Sequence, residues 1–182
     1  LEDPLLQLDG FICPGHVTTI IGADAYRSIA AAKRAAVITG FEPVDILEGI
    51  LLMLKQCLQG VYTVEIEYGR GVKREGNLRA RKVMMEVFET ADGYWRGLGM
   101  IPQSGLVLRD AYNEFDIHQR FTIPEFPSRE PKGCACGEIL RGVRTPDGCP
   151  LFRRICTPVN PVGPCMVASE GTCAAYYKYH GQ

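Results

Sequence analysis

Six of the eight cysteines in this 182-residue chain lie between Cys134 and Cys173, whereas Cys13 and Cys57 stand alone. Soft sulfur donors gathered in one short stretch suit zinc or iron–sulfur chemistry, because the thiolate is the ligand both prefer. From Cys136 the successive intervals are 13, 7, 9 and 8 residues. These match neither the paired C-x-x-C knuckles of many zinc sites nor the compact run of bacterial ferredoxins, yet thiolates on separated loops can converge. Three readings of the residues stand side by side: four cysteines around an iron–sulfur cluster, four around a tetrahedral structural zinc, or three disulfides stapling a secreted module. The last needs an oxidising compartment and leaves Cys13 and Cys57 as isolated thiols. Cys57, on an apolar helix, reads as a small buried residue.

A second group of residues able to do chemistry follows two early strands. The rule for open α/β sheets puts ligands beyond the carboxyl ends of strands. Two loops qualify, Cys13-Pro14-Gly15-His16 and Thr39-Gly40-Phe41-Glu42-Pro43-Val44-Asp45. There His16 can act as a ligand or proton carrier, with Glu42 or Asp45 as its partner and Cys13 as a third group. The plainer reading has Asp45 favouring the first helical turn, Glu42 solvated, His16 bonded to a carbonyl and Cys13 buried at a strand end. Neither loop has the spacing of a Gly-rich phosphate-binding motif.

The elements that must position these groups alternate. Gly10–Cys13 reads as a strand, Asp24–Arg34 as a helix with Asp24 at its N-cap, and Ala35–Thr39 as a buried strand. Pro43 suits a first helical position, and Val44–Leu58 carries Ile46, Leu47, Ile50, Leu51, Leu54 and Leu58 at helical spacing until Gly60 stops it. Val61–Tyr68 reads as a strand, Asn77–Ala91 as a helix, Trp95–Ile101 as a strand and Arg109–Phe115 as a short helix. The order predicts an α/β domain over 1–122 with a parallel or mixed sheet. Pro124, Pro127 and Pro131 mark a linker over 123–133. A small, loop-rich cysteine domain fills 134–182, with Tyr176, Tyr177 and Tyr179 as apolar cover and its folding coupled to metal.

Composition excludes several classes. With 46% apolar and 23% charged residues, disorder and fibrous repeats are excluded. Twenty basic residues against 21 acidic give a net charge of −1, which offers no electrostatic reason to bind nucleic acid or an anionic membrane. The longest apolar run, Ile46–Leu54, is far shorter than the roughly 20 residues of a membrane span. The chain opens at Leu1 without a basic-then-apolar leader, so a cytoplasmic setting is expected.

Six motifs carry a resemblance: Gly10-Phe-Ile-Cys-Pro-Gly-His-Val17, Thr39-Gly-Phe-Glu-Pro-Val-Asp-Ile46, Trp95-Arg-Gly-Leu-Gly99, Cys136-Gly-Glu, Cys149-Pro-Leu-Phe152 and Ser169-Glu-Gly-Thr-Cys-Ala-Ala-Tyr176. In that order they resemble the central and C-terminal parts of the HypD family of [NiFe]-hydrogenase maturation factors. The chain looks like the second half of a family member. The family's Cys-Gly-x-His and Gly-Pro-Gly-Cys-Pro-x-Cys motifs, which carry the nascent iron centre and a redox thiol pair, are absent from it. The resemblance implies a Rossmann-like domain followed by a [4Fe–4S] domain, acting as a scaffold for Fe(CN)2CO assembly with HypC-type and HypE-type partners. It assigns the cluster to Cys136, Cys149, Cys156 and Cys173, with Cys134 and Cys165 as competitors, and turns His16, Glu42 and Asp45 toward an interdomain cleft. Two rival functions remain: a thiol–disulfide redox enzyme using Cys134-x-Cys136, and a zinc-stapled interaction module.

Overall fold

The computed structural model describes residues 1, 4–124 and 131–180. Its chain divides into two compact units, one built on Leu8–Glu86 and the other on Pro4–Gln7 together with the residues from Val87 onward. The expected linker at 123–133 therefore falls within the second unit, and its residues 125–130 lie outside the described residues.

In the first unit β1 (Gly10–Pro14), β2 (Ala35–Thr39) and β3 (Val64–Ile66) form a parallel sheet in that order, with Ile12 opposite Val37 and Val37 opposite Glu65. All five β2 residues are buried, as a central parallel strand covered on both faces requires. Helix α1 (Gly15–Ile21) starts directly from β1, where the sequence suggests a loop. Its run Val17-Thr-Thr-Ile-Ile21 is β-branched and a poor helix former, but the fully buried Thr18 decides the matter. Thr18 Oγ1 donates to the Pro14 carbonyl at 2.7 Å and lies 3.2 Å from the Tyr26 hydroxyl. Asp24 does not cap a long helix. It pairs with Arg27 at 2.8 Å, inside a 3-10 turn that precedes the short α2 (Arg27–Ala31).

Helix α3 (Pro43–Gln59) has the expected start and stop, with Pro43 in its first turn and Gly60 left-handed (φ +64°) after its last. The leucine stripe is not its sheet face: Leu47, Leu51, Leu54 and Leu58 are exposed, and the buried positions are Asp45, Gly49 and Gln56. Gly49 is small enough to let the helix backbone come against Thr39. Gln56 is buried without penalty because its amide donates to Glu65 at 2.6 Å and accepts from the Thr63 N–H at 3.1 Å. Helix α4 (Leu78–Val87) begins at Asn77, whose side chain accepts from the Ala80 N–H.

The expected extension of that helix to Ala91 and the expected strand at Trp95–Ile101 are both corrected. Phe88–Trp95 (β4) and Gly99–Leu108 (β5) make a separate antiparallel hairpin whose tight end holds Gly97 and Gly99 at φ +87° and +80°. Phe88, Thr90, Tyr94 and Trp95 are strand-favouring residues, and positive φ suits glycine. The regular elements then thin out: a 3-10 turn at Asp110–Phe115, α5 (Ile117–Arg120), α6 (Cys136–Leu140) and α7 (Thr172–Tyr179). Among the described residues no helix is long and apolar enough to cross a membrane.

Candidate metal centre

The second unit's core is made of sulfur. Its buried residues are Ala135, Cys136, Ile139, Cys149, Phe152, Cys156, Cys165, Met166, Cys173 and Ala174, with Cys134 packed against them half-buried. Short turns deliver these side chains. Cys136 opens α6, Cys149 follows the turn at Pro146–Gly148, Cys165 sits in the turn at Pro164–Met166, and Cys173 is the second residue of α7.

The thiols are neighbours of one another. Cys165 and Cys173 bring their sulfurs to 3.0 Å, and the Cys136 thiol also bonds Cys165. Backbone donors are aimed at sulfur: the Val162 N–H at Cys156 (3.4 Å), the Cys136 N–H at Cys134, and the Cys173 N–H at Cys165. Burial raises the Cys134 and Cys173 thiols above their ordinary range and pushes Cys165 up to about 11. A Cβ added at Gly163 would stand 2.6 Å from the Cys134 sulfur, and one at Gly137 would strike the Gly97 carbonyl. The hairpin turn at Gly97 thus lies directly on the start of α6. A cavity of about 310 Å3 opens there, lined by Tyr94, Gly97, Gly99, Cys134, Cys136 and Arg141 among others. Among the described residues no three His, Cys, Asp or Glu side chains converge tightly enough to hold one ion.

On the outer side of the tail, Phe152 packs edge-on against Tyr176 and Tyr177, both at 5.9 Å, while Tyr179 is exposed. Arg153 donates to the Tyr177 and His180 carbonyls and so satisfies the end of α7.

The early candidates collect at the carboxyl edge of the parallel sheet. His16, exposed on α1, stacks obliquely on Phe41 with ring centres 4.7 Å apart and lies 6.0 Å from Tyr68. Glu42 and Asp45 do not take His16 as partner; Arg70 binds both, at 2.8 Å to Glu42 and 3.0 Å to Asp45 Oδ1. Arg70 also lies over the Tyr68 ring at 4.3 Å. Its guanidinium holds the Asp45 carboxyl below the usual carboxylate range, and Asp45 in turn raises Arg70. Glu67 accepts the Gly40 N–H at 3.2 Å, and burial raises its carboxyl. Gly40 has to lack a side chain because a Cβ would overlap the Asp45 carboxylate. Cys13 is buried in the sheet core, where burial pushes its thiol up to about 11. Arg70, Glu67 and Tyr68 are absent from the sequence-based site. The signal for them was the carboxyl end of the third strand, where Glu67 and Arg70 stand three residues apart.

The sequence is similar to those of proteins of hydrogenase formation. A protein of Methanocaldococcus jannaschii named for hydrogenase expression and formation is 50% identical over 175 residues, covering 96% of this chain and 49% of its own. The hydrogenase maturation factor HypD of Azotobacter vinelandii is 45% identical over 179 residues, 97% of this chain and 47% of its own. That of Rhodobacter capsulatus is 42% identical over 187 residues, all of this chain and 50% of its own. The HypD family model, described as the hydrogenase formation hypA family, matches residues 1–180. The chain belongs to the HypD family, and it spans about half the length of the curated relatives it matches.

Proposed function

We propose that this chain is the sheet-and-cluster portion of a cytoplasmic hydrogenase maturation scaffold, holding a [4Fe–4S] cluster on Cys136, Cys149, Cys156 and Cys173. The observation that carries the reading is a core in which five of the ten buried residues are cysteines. Its donor set fits a cluster: soft sulfurs, a backbone N–H directed at Cys156 with others at the neighbouring Cys134 and Cys165, and glycines where main chain and sulfur crowd. A bound cluster would supply one-electron transfer at a potential set by those hydrogen bonds and by solvent exclusion.

The chain's own residues do the positioning. Val162 N–H points at Cys156, and Gly163 and Gly137 let separate loops close on one another. The substrate would be an iron centre receiving cyanide and carbon monoxide to become Fe(CN)2CO, exchanged with a HypC-type chaperone and a HypE-type cyanide donor. At the sheet edge, Arg70 binds Glu42 and Asp45 and holds the Asp45 carboxyl below its ordinary range, while His16 packs on Phe41; this edge is the proposed face toward the substrate. Cys13, buried with a raised thiol, supports the sheet there.

Anaerobic reconstitution with iron and sulfide is the test. A brown chain with a broad absorbance near ~400 nm is expected, lost in Cys149→Ser and Cys156→Ser. Stoichiometric zinc with no cluster formed would overturn the reading in favour of a zinc-stapled module. One observation favours a second reading, a thiol–disulfide enzyme: Cys134, the one half-buried thiol of the six, opens with Cys136 into the cavity beneath the hairpin turn. Rapid alkylation of Cys134 near neutral pH in the cluster-loaded chain would support it.

A further inference from the structure

The stripe that α3 turns away from the sheet has a stricter pattern than an amphipathic helix requires. Val44, Leu47, Leu51, Leu54 and Leu58 follow one another at alternating steps of three and four residues, which are the a and d positions of a coiled-coil heptad. Gly49 and Gln56, buried on the sheet side, fall at the f positions, directly opposite that seam. All five seam residues are between 51 and 88% exposed, so the helix carries a continuous apolar line rather than scattered surface leucines. The flanks of the seam say what fits against it. The g flank holds Pro43, Ile50 and Cys57, and the e flank holds Glu48 and Lys55, of opposite charge. Among the described residues neither of these two charged side chains has an ion-pair partner in its own chain. Against a second α3 running parallel, e faces g, which sets Glu48 beside Pro43 and Lys55 beside Ile50 with no charge to meet. Against one running antiparallel, e faces e and g faces g. Glu48 of each copy then meets Lys55 of the other, Ile50 meets Cys57, and Leu51 and Leu47 layer on Leu54 and Leu58 between them.

We propose that this face of α3 is a self-association surface on which two copies of the chain pair, helix against antiparallel helix, about a two-fold axis that passes between Leu51 and Leu54. The contact is isologous, so each copy supplies the same seam and the same two charges. The apolar layers supply the attraction, and the doubled pairing of Glu48 with Lys55 selects the antiparallel register. A seam of one helix is smaller than the about 800 Å2 a side of a standard stable complex, so the pair is reversible and forms with rising concentration. Because α3 lies in the first unit, the pairing is independent of whatever the tail cysteines bind.

Sedimentation velocity of the full chain, kept reduced so that no disulfide joins two copies, is the test. The parent should move from the mass of one chain to that of two as its concentration rises to about 200 µM. Leu51→Glu and Leu54→Glu should hold it at one chain over the same range, with far-ultraviolet circular dichroism unchanged because both side chains are exposed. Glu48→Lys and Lys55→Glu each set like charges opposite one another twice and should weaken association about tenfold, and the two changes combined should restore most of it. Should a leucine variant lose its helical signal, this charge exchange decides by itself. A parent that stays single at about 200 µM overturns the proposal and leaves the seam to a different polypeptide. Association that survives both leucine changes, or a combined charge variant as weak as the single ones, overturns it as well.

Discussion

Ile38, in the middle of β2, and Cys149, after a turn in the tail, are both buried, but they are buried by different physics. Around Ile38 regular secondary structure satisfies the backbone, and aliphatic side chains such as Val37 and Val64 fill the space between sheet and helices. Around Cys149 there are short turns, two small helices and a core in which sulfur outnumbers aliphatic carbon side chains. The first kind of core stabilises itself, since each large apolar side chain contributes about 1.5–3 kcal/mol on burial. The second has few such side chains, and a small domain of that kind needs a staple. On the proposed function, a metal would be irrelevant to the first unit and a folding partner for the second.

The sharpest way to break this contrast is to withhold the cluster. Hydrogen exchange on the reduced, metal-free chain should show unprotected amides across 134–180, while Ala35–Thr39 keep their protection. Equal protection in both regions would erase the distinction. Next in size, Ile38→Ala should cost about 2–5 kcal/mol in urea unfolding of the first unit, with cluster uptake per folded chain unchanged.

Smaller effects sharpen the comparison at single atoms. Gly163→Ala places a methyl 2.6 Å from the Cys134 sulfur, so the iron content after reconstitution should fall while urea unfolding of the first unit stays the same. Gly60→Ala is its counterpart at the end of α3, where the left-handed backbone should cost about 1 kcal/mol with no change in iron content.

The smallest effect is one of pH. Arg70 lowers the Asp45 carboxyl, so their pairing stabilises the fold above the ordinary carboxylate range and is lost as pH falls through the lowered value. Burial raises Glu67, which has the opposite sign: its cost is present while it is ionised and fades on acidification through the raised value. The gap in urea midpoint between the parent and Arg70→Gln should therefore narrow below about pH 4. A gap that stays constant down to about pH 2 would show that Asp45 gains nothing from Arg70.

What was legible in the sequence follows the same division. Helix α3 was readable because its ends are marked by residues with one dominant backbone preference, Pro43 and Gly60, and β2 because five small or β-branched apolar residues lie between turns. Helix α1 was hidden because Val17 to Ile21 argue locally for a strand and only the burial of Thr18 overrides them. The exposed face of α3 was also misleading: periodicity finds a stripe but does not say which side meets the sheet, and here Gly49 permits a closer approach than a leucine would. The hairpin was missed because a helix pattern runs into a strand at Phe88 with no breaker between them. At the sites, clustering of cysteines marked the tail, whereas the Arg70 bond to Asp45 spans 25 residues and leaves no local trace.

The hairpin turn carries one more consequence. Trp95 is the chain's single tryptophan, its indole N–H donating to Ser104 at 2.7 Å, two residues before the Gly97 that lies against Cys136. The proposed iron–sulfur chromophore, settling among those thiols, would drain the indole's excited state and serve as an optical gauge: ultraviolet emission would dim as the tail fills and brighten as it empties.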